Sequence, residues 1–464
     1  MSKLTLTFVL LSFVLTDVFS QNEYSLKQAQ EYALKNNYQA KLADKGIEAS
    51  HQTVKSYTAI GLPQVYASGD FQNFINIPTS VVPADAFGFP TWFNQWIQDV
   101  ATTTGAVPNV PTGTGEEFQK LQFGSKYTAN GGLAINQLLF DGSYFIGLKA
   151  ARTYVDVASA SKEKTESEIR NLVAQAYYMV VIADENIKLL NENKTNVEQT
   201  LKETAALHES GFVEIMAVEQ LQLMAATITN SLNTTINQKK VAEYLLKFQM
   251  GIPANQSIAL TDNLESLVGS SENLLDSKNF NSENHADFKL ATTQLKLMNL
   301  NYKVEKSKQY PRLTGFFNHQ YNSFRNDFDY FSGGDWFPTT LWGLKLQVPV
   351  FTSFMNRANI QKAKIEMEKS ELQQAMIAES LSLQFETSKT EYYAALEQMK
   401  TQQQSVELAK RIKVKTDIKF KEGIVSSMEL NQAQTQLLTA QGSYIQSIFT
   451  LLNAKSTLNK ALGN

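Results

Sequence analysis

One stretch of this chain occurs twice, and that repetition constrains the fold more than any other feature. Residues 133–142 (LAINQLLFDG) recur as residues 344–353 (LKLQVPVFTS), with Phe140 and Phe351 standing 211 residues apart. Each copy reads as an alternating strand that stops at Phe and feeds into a very long helical pattern. One phase is apolar (Leu133, Ile135, Leu139; Leu344, Leu346, Val348, Val350), and the other is mixed or polar (Asn136; Lys345, Gln347). A half-apolar strand of period two is what one wall of a barrel or sandwich needs.

More of the chain falls into register once that pair is aligned. Gly211-Phe212-Val213 with Met216, Gln220 and Gln222 matches Gly423-Ile424-Val425 with Met428, Gln432 and Gln434 at an offset of 212; Leu246 and Gly251 match Leu458 and Gly463 at the same offset. Upstream, Leu62-Pro63-Gln64-Val65 resembles Tyr310-Pro311-Arg312-Leu313 at an offset of 248, so the first copy carries 37 extra residues between its Pro and its Phe. An internal duplication with one enlarged loop accounts for all of these positions.

The 464 residues carry a formal net charge of −3, which gives no electrostatic reason to expect nucleic acid. There is no cysteine, which excludes disulfides, thiolate metal sites and a lipidated N-terminal thiol. Residues 1–20 read as a signal peptide, an apolar run after Lys3 ending in Val18-Phe19-Ser20 before Gln21. A mean hydropathy of −0.26 still permits outer-membrane insertion, because barrel strands alternate and leave little trace in an average.

Three segments follow. The first repeat, 21–251, opens on a capped helix from Ser25-Leu26 to the neighbourhood of Gly61, then strands near 63–75 and 126–140. Between these strands the composition turns rich in aromatics, Pro, Gly and Thr, without sustained periodicity, and reads as a long loop at a hairpin tip. A helix from about Asp141 to Gly211 would span on the order of 100 Å at about 1.5 Å per residue. Its apolar seam is read as Ile169, Leu172, Ala176, Met179 and Ala183, resuming at Ile187 after a stutter. Gly211 caps it and a second helix returns to Phe248. Residues 252–284 form a Ser/Asn-rich linker. The second repeat, 285–464, has strands near 311–322 and 339–351, a helix from about Asn356 to Lys421, the cap Gly423, and a last helix seamed by Leu430, Ala433, Leu437, Ala440, Tyr444, Ile448 and Leu451.

Taken in order, these residues resemble the TolC-type outer-membrane efflux family. The strand-end pair is the most specific element: Phe140-Asp141-Gly142 in the first copy, and Pro349 with Phe351 in the second. The first copy departs from the family pattern with Leu138 where Pro is usual, and the second with Thr352-Ser353 where Asp and Gly types are common. The resemblance implies a mainly α fold with a small β part, a helix–β-hairpin–long helix–helix unit occurring twice. It further implies a homotrimer, with an α-helical periplasmic barrel continued by a shared outer-membrane β-barrel. Implied partners are outer-membrane lipid, a periplasmic adaptor (membrane fusion) protein and an inner-membrane pump. Implied function is a passive export duct of a tripartite efflux or type I secretion system.

The resemblance also places a periplasmic tip, where the adaptor docks, at Gly211, Phe212, Val213, Gly423, Ile424 and Val425. It places an aperture at Phe420, Glu429 and Gln432, where Gln432 and Ala217 stand in acidic positions of the family. Glu429 admits a plain surface role as well as a gating one. The aromatics Phe87, Phe89, Trp92, Phe93 and Trp96 admit binding something outside the cell, and are read in preference as an interfacial belt and a cap over the barrel mouth, with no ligand assigned. His51, His208, His285 and His319 share no metal-ligand spacing, and no phosphate loop, nucleophile elbow or paired-carboxylate pattern appears. No enzyme activity and no cofactor are expected. The competing reading is a periplasmic coiled-coil structural or adaptor protein without a pore, against which the duplicated strand hairpins argue.

Overall fold

The computed structural model describes residues 22–83, 91–105, 118–122, 124–269, 280–331 and 333–463. The signal-peptide expectation for residues 1–20, together with Phe87 and Phe89, lies outside them. The first repeat runs β1 (Asn22–Tyr24), α1 (Leu26–Asn36), α2 (Tyr38–Ile60), β2 (Gln64–Asn73), β3 (Thr79–Pro83), α3 (Thr91–Thr104), β4 (Phe118–Gln122), β5 (Tyr127–Asp141), α4 (Gly142–Glu209) and α5 (Ile215–Met250). Then come β6 (Ile258–Leu260), α6 (Leu264–Gly269), a short turn of helix at Ser282–Asn284, and α7 (Ala286–Ser307). The chain closes with β7 (Arg312–Arg325), β8 (Phe337–Gln347), α8 (Met355–Lys421) and α9 (Ser427–Ala461).

These elements form two compact units. The helical unit comprises Met1–Val54, Lys149–Tyr302 and Asn359–Asn464. Its main core gathers Ala29, Ala33, Ile169, Val173, Tyr177, Leu246, Met250, Leu451, Leu452 and Leu458, all essentially out of contact with solvent. The seam expected on α4 is corrected here. Ile169 and Ala176 face the core, but Leu172 and Met179 are each 38% exposed, and Val173, Tyr177, Val180 and Val181 are buried instead. Between Leu172 and Val180 the expected positions and those one residue on (Val173, Tyr177, Val180) are both apolar, so periodicity alone does not choose between them there. On α9 Leu430, Ala433, Leu437, Ile448 and Leu451 are buried.

The N-terminus is tied into this core by polar groups. The Tyr177 hydroxyl, with one proton to give, lies 3.0 Å from the Tyr24 carbonyl and 3.1 Å from Asp262 Oδ2, and the same carboxylate accepts the Leu26 N–H at 2.7 Å. Burial pushes the Tyr177 phenol well above its ordinary range, which keeps it a neutral donor. β1 pairs in parallel with β6.

The single opening helix expected from Ser25 to Gly61 is broken at Asn37. Ser25 caps α1 with a reciprocal box to Gln28. Asn37 then leaves helical geometry (φ −57°, ψ 141°), caps α2 through its Oδ1 to Gln39 N–H at 2.7 Å, and donates its amide to the Gln249 carbonyl at 2.6 Å. Asparagine competes well with helix for these local bonds, so the break follows from side-chain chemistry. Gly251 meets the same corner. It caps α5 at φ +74°, and a Cβ there would collide with the Asn36 carbonyl.

The second unit comprises Lys55–Leu148 and Lys303–Ala358. It holds an antiparallel sheet of order β2-β5-β7-β8, in which β5 and β7 join the two repeats. The loop expected between the first two strands is in part regular. β3 pairs with β4, and α3 lies between them in sequence. Phe93, Trp96, Ile97, Val100 and Ala101 recur at helical spacing, a signal masked by the surrounding Pro, Gly and Thr.

Candidate functional site

The sheet presents two chemically distinct faces, because paired residues share a face and successive rows alternate. Val65, Ile135, Phe317 and Trp342 pair across all four strands in one row. The next row on that face is Ala67, Leu133, His319 and Thr340, and Leu344 and Leu346 continue it along β8. The opposite face carries Ser68, Gly132, Gln320 and Thr339, then Asp70, Asn130, Asn322 and Phe337. The apolar face is not folded away: Trp342 is 77% exposed, and Val65, Leu133, Leu344 and Leu346 are also exposed. Among the described residues β2 and β8 each pair on one side only, which leaves two strand edges open.

The two strand-to-helix junctions differ. In the first, β5 runs through Phe140 to Asp141 and α4 begins at Gly142. Asp141 Oδ1 accepts the Ser143 N–H at 2.8 Å and its hydroxyl at 2.6 Å, capping the helix start. In the second, the strand expected to reach residue 351 stops at Gln347. Pro349 has no N–H to give the ladder and restricts Val348 before it. Phe351 therefore sits in an irregular segment and stacks edge-on against Phe354 at 5.8 Å, with Ser353 and Phe354 both at positive φ before α8 begins at Met355.

The two helical turns, by contrast, are close copies. Gly211 (φ +79°) follows α4, and Phe212 N–H returns to the Leu207 carbonyl at 2.9 Å. Gly423 (φ +71°) follows α8, and Ile424 N–H returns to the Lys419 carbonyl at 2.9 Å. Both are Schellman closures, which need glycine for the left-handed residue. Phe212 and Ile424 are exposed, whereas Val213 and Val425 are half-buried. Each turn thus presents one uncovered apolar side chain.

Glu429 lies in the first turn of α9. Its N–H donates to Ser426 Oγ at 3.3 Å, and the Ser426 hydroxyl reaches back to Glu429 Oε1 at 3.4 Å. This is the position at which a carboxylate complements the helix dipole. Gln432 is exposed and Phe420 half-buried. Ala217, the counterpart of Glu429, is buried. Sequence reasoning overlooked the carboxamide contacts between the repeats: Asn431 donates to Gln220 Oε1 at 2.8 Å, and Asn193 to Gln441 Oε1 at 2.9 Å. They border a groove of about 620 Å³ that also takes in Leu223, Met224 and Leu438 and has no charged residue in its lining.

Among the described residues no helix is long and apolar enough to cross a membrane, and no group of His, Asp and Glu is arranged to hold a metal ion. The profile of the family described as "Outer membrane efflux protein" matches residues 101–251 and 282–464. No curated protein matches the sequence. Among solved structures, the fold is similar to that of CusC at 16% identity and TM-score 0.71, covering 95% of this chain and 92% of that one. It is similar to the open-state MtrE outer membrane channel of Neisseria gonorrhoeae at 15% identity and TM-score 0.69, covering 95% and 89%. The CmeC outer membrane channel of Campylobacter jejuni is similar at 17% identity and TM-score 0.68, covering 94% and 85%. At these identities the likenesses establish the fold.

Proposed function

The chain belongs to the outer membrane efflux protein family, and on that premise we propose that it is the export duct of a tripartite efflux or type I secretion system. Membership makes it an outer-membrane efflux channel whose helical part stands in the periplasm. The observation that carries the duct reading is the two-faced sheet, with its apolar row Val65–Ile135–Phe317–Trp342, exposed except at half-buried Ile135, and an opposite face on which Ser68, Gln320, Thr339, Asp70, Asn130 and Asn322 make the rows more polar. Lipid outside and water inside is the pattern of a membrane barrel wall. A periplasmic protein without a pore would leave that apolar face in water, which disfavours the competing reading.

Four strands with two open edges are too few to close a barrel. We infer a homotrimer in which β8 of one copy pairs with β2 of the next. The exposed Phe212 and Ile424 beside their glycine caps support assigning Gly211, Phe212, Val213, Gly423, Ile424 and Val425 to the periplasmic tip, where an adaptor linked to an inner-membrane pump docks. Phe420, Glu429 and Gln432 would then surround the aperture, with Glu429 forming a ring of three carboxylates. Its contact with Ser426 favours helix capping as a further role. No catalytic residue, cofactor or metal enters this mechanism; the duct supplies a wetted path and the pump supplies the energy.

Single-channel conductance of the purified protein in a planar bilayer tests the duct, with Glu429→Gln beside it. A long-lived conducting trimer whose cation preference falls in the variant supports both duct and aperture. Conductance unchanged by the substitution removes Glu429 from the aperture. Silence in both the full chain and a deletion variant lacking the tip residues around Gly211 and Gly423 sinks the channel.

A further inference from the structure

The last turns of α8 carry an exposed face of mixed character. Leu408, Ile412 and Ile418 are exposed apolar side chains, and Arg411, Lys415 and Lys419 are exposed cations set between them. At about 100° per residue these six fall within an arc of about 120°, so they form one stripe running toward the Gly423 turn. Exposed Ile424, just past that glycine, follows it. Buried Ala409 and the Lys413–Asp417 pair at 2.5 Å lie outside the arc.

None of the three cations is in an ion pair among the described residues, although Lys413 and Lys421 beside them are. Glu407 and Glu422 are exposed at the two ends of the stripe and pair with none of the three. The first repeat shows the same helix without the stripe. At the offset of 212 that aligns the two glycine turns, Leu408, Arg411, Ile412, Lys415, Ile418 and Lys419 correspond to Asn196, Gln199, Thr200, Glu203, Ala206 and Leu207 of α4. That face has no cation, and its polar groups meet partners within the chain. Gln199 donates to Glu203 Oε1 at 2.8 Å, Lys421 meets Glu203 Oε2 at 3.0 Å, and Thr200 donates to the Asn196 carbonyl at 2.9 Å. The two repeats share the long helix and its cap, whereas the basic and apolar stripe belongs to the second alone.

We propose that this stripe on α8 docks an acidic amphipathic helix of a separate protein, its carboxylates opposite Arg411, Lys415 and Lys419 and its apolar side chains against Leu408, Ile412 and Ile418. The proposal rests on assigning the glycine turns to the tip where an adaptor docks, and it adds the chemistry of that contact. Apolar anchors at helical spacing are what an amphipathic helix recognises, and the interleaved charges select the partner and speed encounter. The first repeat's carboxylate at this level, Glu203, is engaged by Gln199 and Lys421, which leaves the charge of the stripe to be met from outside the chain. The matching face of α4 offers neither cations nor the apolar anchors, so the partner meets the two repeats unequally.

Fluorescence anisotropy on the purified full chain tests it with stapled helical peptides, one carrying Glu and Leu on one face at this spacing and another with Gln in place of Glu. The Glu peptide should bind saturably, lose affinity as salt rises, and bind at least about tenfold tighter than the Gln peptide. Arg411→Glu/Lys415→Glu/Lys419→Glu should lose the Glu peptide and gain a third peptide with Lys in place of Glu, a swap that misfolding does not produce. Lys362→Glu, near the start of α8, should bind as wild type. No saturable binding, equal affinity for the Glu and Gln peptides, or a triple variant that fails to swap overturns the proposal. The chain has no cysteine, so Ile412→Cys carries a single thiol for a photoreactive maleimide. An adduct between two copies on irradiation also overturns the proposal, because a second copy would then cover the stripe. Single-channel conductance reads the duct separately: peptide binding without conductance keeps this interface and sinks the duct, and conductance without binding does the reverse.

Discussion

Lys421 at the end of α8 pairs with Glu203 near the end of α4 at 3.0 Å, joining the second repeat to the first close to their glycine-capped turns. Gln199 and then Lys421 hold the Glu203 carboxyl below its ordinary range. Both partners are largely exposed, so the pair contributes little stability, about 0–1 kcal/mol. Its effect belongs to the local arrangement of the two helix ends. Lys421→Gln should leave the urea midpoint within scatter and raise single-channel conductance at low salt. The difference should shrink near 1 M salt, where the Debye length falls to about 3 Å. A conductance equal to wild type at every salt concentration would dissociate this pair from the proposed tip.

Gly251 and Gly46 should respond oppositely to alanine. At Gly251 a Cβ meets the Asn36 backbone in a left-handed conformation, so Gly251→Ala should destabilise by about 1–3 kcal/mol. Gly46 lies inside α2 with open space around it, so Gly46→Ala should stabilise by about 0.5–1 kcal/mol. Urea midpoints of the two variants check both signs.

Lys455 should make the helical unit more stable as pH rises. Burial pushes its ammonium down to about 8 from an ordinary value of 10.5. Between those values the unfolded chain holds a proton that the folded chain has lost, so unfolding becomes harder across that window. Below it both states are charged and the burial penalty stands in full, on the order of 3 kcal/mol. Lys455→Met should be more stable than wild type near pH 7 and flatten the rise. Denaturant titrations at pH 7, 8, 9 and 10 would show it; a wild-type curve already flat over that range refutes it.

The two sheet faces should tolerate charge unequally. Leu344→Arg places a cation on the apolar face, at about 2–4 kcal/mol if it reaches the bilayer midplane, and should deplete heat-modifiable trimers from the outer-membrane fraction. Thr339→Arg on the polar face should leave them intact. Equal loss in both variants would contradict lipid outside and water inside.

The duplication, the strand phases and the two glycine caps were legible in the sequence, because each is set by neighbours within a few residues. Phe140, Phe351, Gly211 and Gly423 declare themselves through local periodicity and backbone preference. Two local signals were passed over: the strand was expected to reach residue 351 although Pro349 lacks the donor a ladder requires, and a loop was expected where the spacing of Phe93, Trp96, Ile97 and Val100 describes a helix. Other features belong to long-range contacts. Leu172 and Val173 are equally apolar, and only packing chose Val173 for the core. Asn37 breaks the first helix in company with Gln249, far along the chain. Local periodicity specifies which side of an element is apolar. What that side meets depends on the free energy of packing distant segments together, and that quantity is written in no single stretch of the chain.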